Sequence, residues 1–212
     1  MHIWDTFVSH CTQTDAMRYF FQEVFYMENK KRLRTLALTE GAILIAIAQI
    51  LSLLPIYKFP WGGSVDLAML PVVIFCIRWG FGPAMILSFA HGILQMLLGG
   101  GVSIGWQSML GDYIIAYAVL GVAGLFKGKF YLATLVSCAL RFLVHYVVGA
   151  TLWAEYMPET FFQMTMTTPW VYSALYNGAF MLPDVLLILL AGFLLQKTPL
   201  KVYFTSQTLA KS

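Results

Sequence analysis

Charged side chains are scarce in this chain: Asp, Glu, Lys and Arg make up 11% of its 212 residues. With 59% hydrophobic residues and a mean hydropathy of +0.74, that scarcity excludes an ordinary soluble domain and reads as an integral membrane protein. Cysteine is sparse too. Cys11, Cys76 and Cys138 stand far apart with no CxxC pair, which argues against a cysteine zinc site or a disulfide framework. The last two lie in apolar runs and read as small apolar side chains. No GxxxxGK[ST] nucleotide loop occurs, so the energy for any transport has to come from elsewhere. No metal-ligand spacing, internal repeat or low-complexity tract stands out, and no cofactor is implied. The opening "MHIWDTFVSHCTQTDAMRYFFQEVFY" lacks a basic n-region followed by an apolar h-region, so it does not read as a secretory signal peptide. The net charge of +3 gathers at the ends of apolar runs, where it reports topology and gives no sign of a nucleic-acid partner.

What the chain does have is apolar length. Six segments, Thr35 to Leu54, Leu67 to Arg78, Pro83 to Leu98, Ile104 to Phe126, Phe130 to Leu152 and Tyr172 to Gln196, are bounded by Gly and Pro punctuation, and several approach the ~20 residues that a helix needs to cross a bilayer. The fold class expected is all-α, an integral membrane protein with six transmembrane helices. Lys30, Lys31, Arg32, Arg34, Arg78, Lys127, Lys129, Lys197 and Lys201 fall on one side under six crossings. The positive-inside rule then puts both termini in the cytoplasm and the loops around Trp61, Gly100 and Trp153 outside. The chain divides accordingly into an N-terminal cytoplasmic extension over residues 1–34, a membrane domain over 35–198 and a cytoplasmic tail over 199–212. Met27, followed by "ENKKRLRTLALTEG", looks like a natural N-terminus, which makes it a candidate translation start.

One carboxylate stands out inside the apolar run "MLGDYIIAYAVLGVAGLF". Asp112 enters from the outer side, and a charge in lipid costs about 2.5 to 3.5 kcal/mol on insertion scales, so it is expected to face a wet cavity or a ligand. The plainer alternative is an interfacial Asp bonded to Ser108 or to loop backbone. His145 reaches a similar depth on the fifth segment, as a pocket group or as a satisfied interior imidazole. Arg141, one turn earlier, reads as a structural partner for a carboxylate or for carbonyls at a broken helix end. Trp61, Trp153, Trp170, Tyr172 and Tyr176 fit an aromatic belt, which leaves Asn177 and Asp112 unexplained. At 3.6 residues per turn, Tyr172 and Asn177 share a cavity only if Tyr172 sits at or before the helix start. A carboxylate, an imidazole, an amide and several large rings suit a flat, nitrogen-rich, cationic organic molecule.

The stretches "PWGGSVDLAMLPVV", "DYIIAYAVLGVAGLF", "RFLVHYVVGATLWAEYMPE" and "PWVYSALYNGAFMLPD" resemble, in order and spacing, the thiamine-binding S-component (ThiT type) of energy-coupling factor transporters, from about Arg34 to the end of the chain. The resemblance implies a non-enzymatic capture subunit in a bacterial cell membrane that binds thiamine from outside. It maps the family's binding residues onto Asp112 and Tyr113, His145, Trp153, Tyr172 and Asn177, with Trp61 from the first outer loop. Two positions depart from the pattern: Asp112 stands where better-known members carry Glu, and His91 where Trp is often expected in the third helix. The resemblance also implies partners, namely a transmembrane coupling subunit and two cytoplasmic ATPases. It would place Ala42 and Ala46, a small-xxx-small pair, at the docking surface; ordinary internal packing is the alternative.

Two other readings stay open on the residues alone. One is an S-component for another vitamin or a thiamine precursor. The other is an intramembrane aspartyl-type enzyme, since "LGDY" resembles part of a GxGD signature with Asp184 as a second acid. Leu110 stands where the first Gly of that signature would be, and the expected depths keep the two acids apart.

Overall fold

Apolar runs punctuated by Gly and Pro fold, in this computed structural model, into helices joined by short turns and two small hairpins. The structure describes residues 2–99 and 103–207, with side chains from Met17 onward, Phe21 apart. Met1, Gly100, the Cys11 side chain and residues 208–212 of the expected tail lie outside the described residues. The helices are α1 (His2–Leu53), α2 (Met69–Trp79), α3 (Phe81–Leu98), α4 (Trp106–Leu125), α5 (Phe130–Thr151) and α6 (Pro169–Gln196). The antiparallel pair β1 (Tyr57–Lys58) and β2 (Ser64–Val65) follows α1, and β3 (Thr160–Phe161) with β4 (Met164–Thr165) precedes α6.

The all-α expectation holds, but the six helices are not equivalent. Five are long and apolar enough to cross a membrane, whereas α2 has 11 residues. At 1.5 Å per residue an 11-residue helix covers only about half of a bilayer core. Every α2 residue from Met69 to Arg78 is buried, so α2 is the axle of the bundle and not a lipid-facing span. Met69, Val72, Val73, Cys76 and Ile77 pack with Leu120, Ala123, Phe130, Cys138 and Ile188 in one core. Cys76 and Cys138 are free and buried there, as small apolar side chains. The turn from α2 to α3 runs through Gly80 at φ +80°, a left-handed conformation that a residue with a Cβ resists. Close helix contact depends on the same residue type at Gly124, where a Cβ would stand 2.7 Å from the Gly80 carbonyl carbon.

By packing, the chain divides at Glu40. The residues up to Thr39 are helical, and the described side chains from Met17 to Tyr26 are exposed. The hydroxyls of Thr35 and Thr39 donate back to the carbonyls of Lys31 and Thr35. From Glu40 onward the chain forms the bundle. Ala48 is fully buried, while Ala42 and Ala46 are exposed on the outer face of α1. Internal packing therefore does not explain that small-residue pair.

One end of the bundle is closed by Arg78. Its Nε and Nη2 donate to the two carboxylate oxygens of Glu40 at 2.8 and 3.0 Å, and its Nη1 donates to the Val202 carbonyl at 2.8 Å. Trp79 Nε1 donates to Glu40 at 2.7 Å, the Gln207 amide N–H donates to the Arg78 carbonyl at 2.7 Å, and the guanidinium lies over the Tyr203 ring at 5.1 Å. The 3₁₀ turn Pro199–Phe204 is thereby clasped against α2, with Phe204 set edge-on to Phe130.

Candidate functional site

α4 is irregular along its length, and the part that holds Asp112 lies away from the Arg78 end. Trp106–Met109 is α-helical, Leu110–Ile115 is π-helical and Val119–Leu125 is 3₁₀. A π segment inserts extra backbone into a helix and re-aims its side chains, and such segments are frequent at functional sites. Asp112 and Tyr113 lie within it. Gly111 lets α5 come close, since a Cβ there would stand 2.6 Å from Val148. His145 consequently reaches Asp112.

The Asp112 carboxylate takes one hydrogen bond on each oxygen: His145 Nδ1 at 3.0 Å on Oδ1, and Trp153 Nε1 at 2.9 Å on Oδ2. Ser108 is occupied with its own loop, donating to the Gly105 carbonyl and accepting from the Ile104 N–H, so the alternative of an Asp112 bonded to Ser108 fails. With Nδ1 donating, a neutral His145 presents Nε2 as a lone-pair acceptor, and that buried nitrogen has no partner among the described residues. Trp153 follows the end of α5 and folds back over α4. The Asp112 side of the site thus offers a fixed negative charge, an unpaired imidazole nitrogen and an indole face.

Asn177 meets the same helix from α6. Its Nδ2 donates to the carbonyls of Ser173 at 3.0 Å and His145 at 3.3 Å, and to Ser173 Oγ at 3.2 Å. Tyr172 does not precede the helix as expected. Thr168 caps α6 by accepting from the Val171 N–H, Pro169 is the first helical residue, and the Tyr172 N–H already bonds the Thr168 carbonyl. Tyr172 and Asn177 therefore point to different neighbours. Tyr172 joins an aromatic cluster with Phe161 and Tyr176, at centroid distances of 5.2 and 5.8 Å.

Trp61 extends that cluster from the first hairpin. It stands edge-on to Phe161 and Phe162 of the second hairpin, each at 5.4 Å, and its carbonyl accepts from Tyr176 Oη at 3.3 Å. Trp170 packs on Tyr146 at 5.3 Å. Trp61 and Tyr172 thus join one ring cluster and Trp170 a second on Tyr146, arrangements that a simple belt of headgroup anchors does not require.

His91 sits apart. It has no exposed surface, neither ring nitrogen has a partner among the described residues, and it stands edge-on to Tyr117 at 5.1 Å. Arg141 lies on the same Tyr117 ring at 4.3 Å and donates to Met69 Sδ at 2.9 Å. No carboxylate forms an ion pair with Arg141 among the described residues, so the expected acidic or carbonyl partner is replaced by an aromatic face. Asp184 accepts the Asp66 N–H at 2.8 Å, while Asp112 is bonded by His145 and Trp153. The two acids form no shared-proton pair.

Sequence reasoning missed Ser173, Gly111, Gly149 and the second hairpin. The small residues facing Asp112 and Asn177 were the available signal, because close helix approach requires them. Among the described residues no group of three His, Cys, Asp or Glu side chains gathers to hold a metal ion.

A helical membrane domain with a hydrogen-bonded carboxylate inside one of its apolar helices defines the class: a multi-pass membrane protein. Comparison with known proteins narrows this. The family model described as thiamine transporter protein (Thia_YuaJ) matches residues 38–204, and the chain belongs to that family. It is 29% identical over 168 residues to the thiamine transporter ThiT of Bacillus subtilis, covering 71% of this chain and 84% of the relative. To the thiamine transporter ThiT of Lacticaseibacillus paracasei it is 27% identical over 194 residues, covering 82% and 92%. The structure of ThiT from Listeria monocytogenes superposes with a TM-score of 0.69 at 25% identity, over 80% of this chain and 98% of that one. These relatives are named as transporters, which sets the enzyme reading aside.

Proposed function

We propose that this protein captures thiamine from outside the cell for energy-coupled uptake. The observation that carries the reading is the Asp112 carboxylate, held by His145 and Trp153 within a membrane helix of a thiamine transporter family member. A fixed carboxylate beside aromatic faces stabilises a cationic ring by charge and by cation–π attraction. Asp112, Tyr113, His145, Trp153, Tyr172, Asn177 and Trp61 form the proposed contact set, with His91 acting from behind Tyr117. Saturable quenching of intrinsic Trp fluorescence by thiamine, with riboflavin, biotin and hydroxymethylpyrimidine inactive, is the expected result on purified protein. Selective quenching by one of those controls instead would transfer the role to another vitamin or precursor.

Uptake then depends on a transmembrane coupling subunit and two cytoplasmic ATPases, since this chain carries no nucleotide loop. The exposed Ala42 and Ala46 on α1 supply a flat strip on which a partner helix can lie. By the positive-inside rule the basic residues that flank the apolar runs favour a cytoplasmic Arg78 end and cytoplasmic termini. Ala42→Trp is expected to leave thiamine affinity unchanged and abolish uptake in cells that hold the coupling module; undiminished uptake would remove this strip from the interface.

A further inference from the structure

One face of α6 carries the first hairpin. Tyr176, Phe180 and Asp184 recur at i, i+4 spacing, so they form a stripe along the helix, and each meets a different part of the hairpin. Tyr176 Oη donates to the Trp61 carbonyl at 3.3 Å. Phe180 fills the space at Gly63, where a Cβ would stand 2.5 Å from its ring, and it packs with Val65 and Met181. Asp184 Oδ1 accepts the Asp66 N–H at 2.8 Å. Among the described residues these two hydrogen bonds join the hairpin to α6, and they are unequal. The Tyr176 bond is long and exposed, whereas the Asp184 bond is short and its carboxylate belongs to a residue only 3% exposed. The Asp66 side chain is occupied within its own segment, accepting the Ala68 N–H at 2.8 Å and the Ser64 hydroxyl at 3.2 Å, so its backbone N–H is the group that reaches α6. No cation forms an ion pair with Asp184 among the described residues. This carboxylate, costly inside an apolar helix, thus acts as a charged and therefore strong acceptor for one backbone amide.

We infer that Asp184 is a positioning residue: by holding the Asp66 N–H it fixes the base of the first hairpin on α6 and so sets where Trp61 stands in the ring cluster. The inference rests on the proposed capture of thiamine with Trp61 in the contact set, and deepens it by naming what places that ring. Asp184 acts on binding through the hairpin and not by touching the ligand. With the base released, the hairpin keeps its internal bonds, Ile56 N–H to the Val65 carbonyl and Phe59 N–H to the Gly63 carbonyl, and shifts as a unit. Asp112, His145 and Trp153 keep their own hydrogen bonds, because none of them belongs to the hairpin or to α6. The signature of the role is therefore a loss of affinity that depends on the presence of the Trp61 ring.

The test is a double-mutant cycle read by calorimetric titration of the full chain with thiamine, a signal that does not depend on Trp61 fluorescence. Asp184→Leu cannot accept the Asp66 N–H and is expected to weaken thiamine by about tenfold. Asp184→Asn keeps an acceptor oxygen and should restore most of the affinity. In a Trp61→Ala background, Asp184→Leu should cost less than about twofold more, because the ring it places is gone. Equal losses in both backgrounds would mean that Asp184 supports the fold at large, and would overturn the inference while leaving capture standing. Unchanged affinity in Asp184→Leu would do the same. If Asp184→Leu does not fold, hydrogen exchange in the unmutated, thiamine-free protein decides. A held base makes the Asp66 amide exchange about tenfold or more slowly than the Trp61 amide at the tip, and equal rates would overturn the inference. Absence of thiamine binding in the unmutated protein would overturn both readings.

Discussion

The two ends of the bundle contain similar ingredients, a charged residue among aromatic rings, and use them in opposite ways. At the Arg78 end donors and acceptors close on each other: both Glu40 oxygens, three guanidinium nitrogens and the Trp79 N–H are bonded inside the chain. At the Asp112 end the same kind of chemistry stops halfway. The carboxylate is held, but the buried His145 Nε2 has no partner among the described residues. A buried polar group left unpaired costs about 1 to 3 kcal/mol, and this one stands directly beside the held carboxylate. The closed end reads as structure, and the open end is the proposed binding site.

Breaking the closed end should produce the largest effect. Arg78→Met leaves the Glu40 carboxylate facing Trp79 without its counter-charge, and breaking a buried ion pair costs about 3 to 5 kcal/mol. Thermal unfolding in detergent should shift strongly downward, with thiamine affinity per folded molecule retained. A parallel loss of affinity in the folded fraction would show that the two ends are not separate.

The open end should respond in the reverse sense. Asp112→Asn removes the negative charge and turns one acceptor into a donor, so His145 keeps its hydrogen bond only by switching tautomer, which moves its N–H to Nε2. Affinity for thiamine is expected to fall by about 1.5 to 3 kcal/mol, the range for hydrogen bonds to charged groups, with little change in melting temperature. Unchanged affinity would remove Asp112 from the site, and a large loss of stability would make this end structural as well.

The smallest effect sharpens the comparison at the second hairpin. Phe162 and Gln163 at its tip have φ of +49° and +62°, a left-handed conformation that costs a residue with a Cβ roughly 1 to 2 kcal/mol. Gln163→Gly should relieve part of this and slow proteolytic nicking of the hairpin. Faster nicking would mean that the Gln163 side chain holds the tip in place.

Much of the scaffold was legible before folding. The starts and ends of α3, α5 and α6 lie within a few residues of the expected boundaries, because Gly and Pro punctuation acts locally on the backbone. The brevity of α2 was legible too, but its place as the buried axle was not: an apolar run reads the same whether lipid or protein surrounds it. The π segment at Leu110–Ile115 was hidden for a similar reason, since side-chain types do not declare how the backbone hydrogen bonds of a run are paired. Of the expected site residues, Asp112, His145 and Trp153 are joined directly by hydrogen bonds. Asn177 meets the His145 backbone, Trp61 and Tyr172 enter an aromatic cluster, and His91 lies behind Tyr117.

The sequence by itself determined that the chain lives in a membrane and that a carboxylate sits within an apolar span. Both follow from the cost of placing charge in lipid and from counting apolar residues, which no later folding step alters. Which groups meet that carboxylate was decided only by the tertiary structure. Arg141 and His145 share one face of α5, and either was a reasonable partner for an acid. The π turn in α4 and the close approach at Gly111 gave Asp112 to His145 and Trp153 and left Arg141 on the Tyr117 ring. Hydrogen bonds act over about 3 Å, and the rotation of one helix against another, set by packing across the whole bundle, determines which side chains come that close.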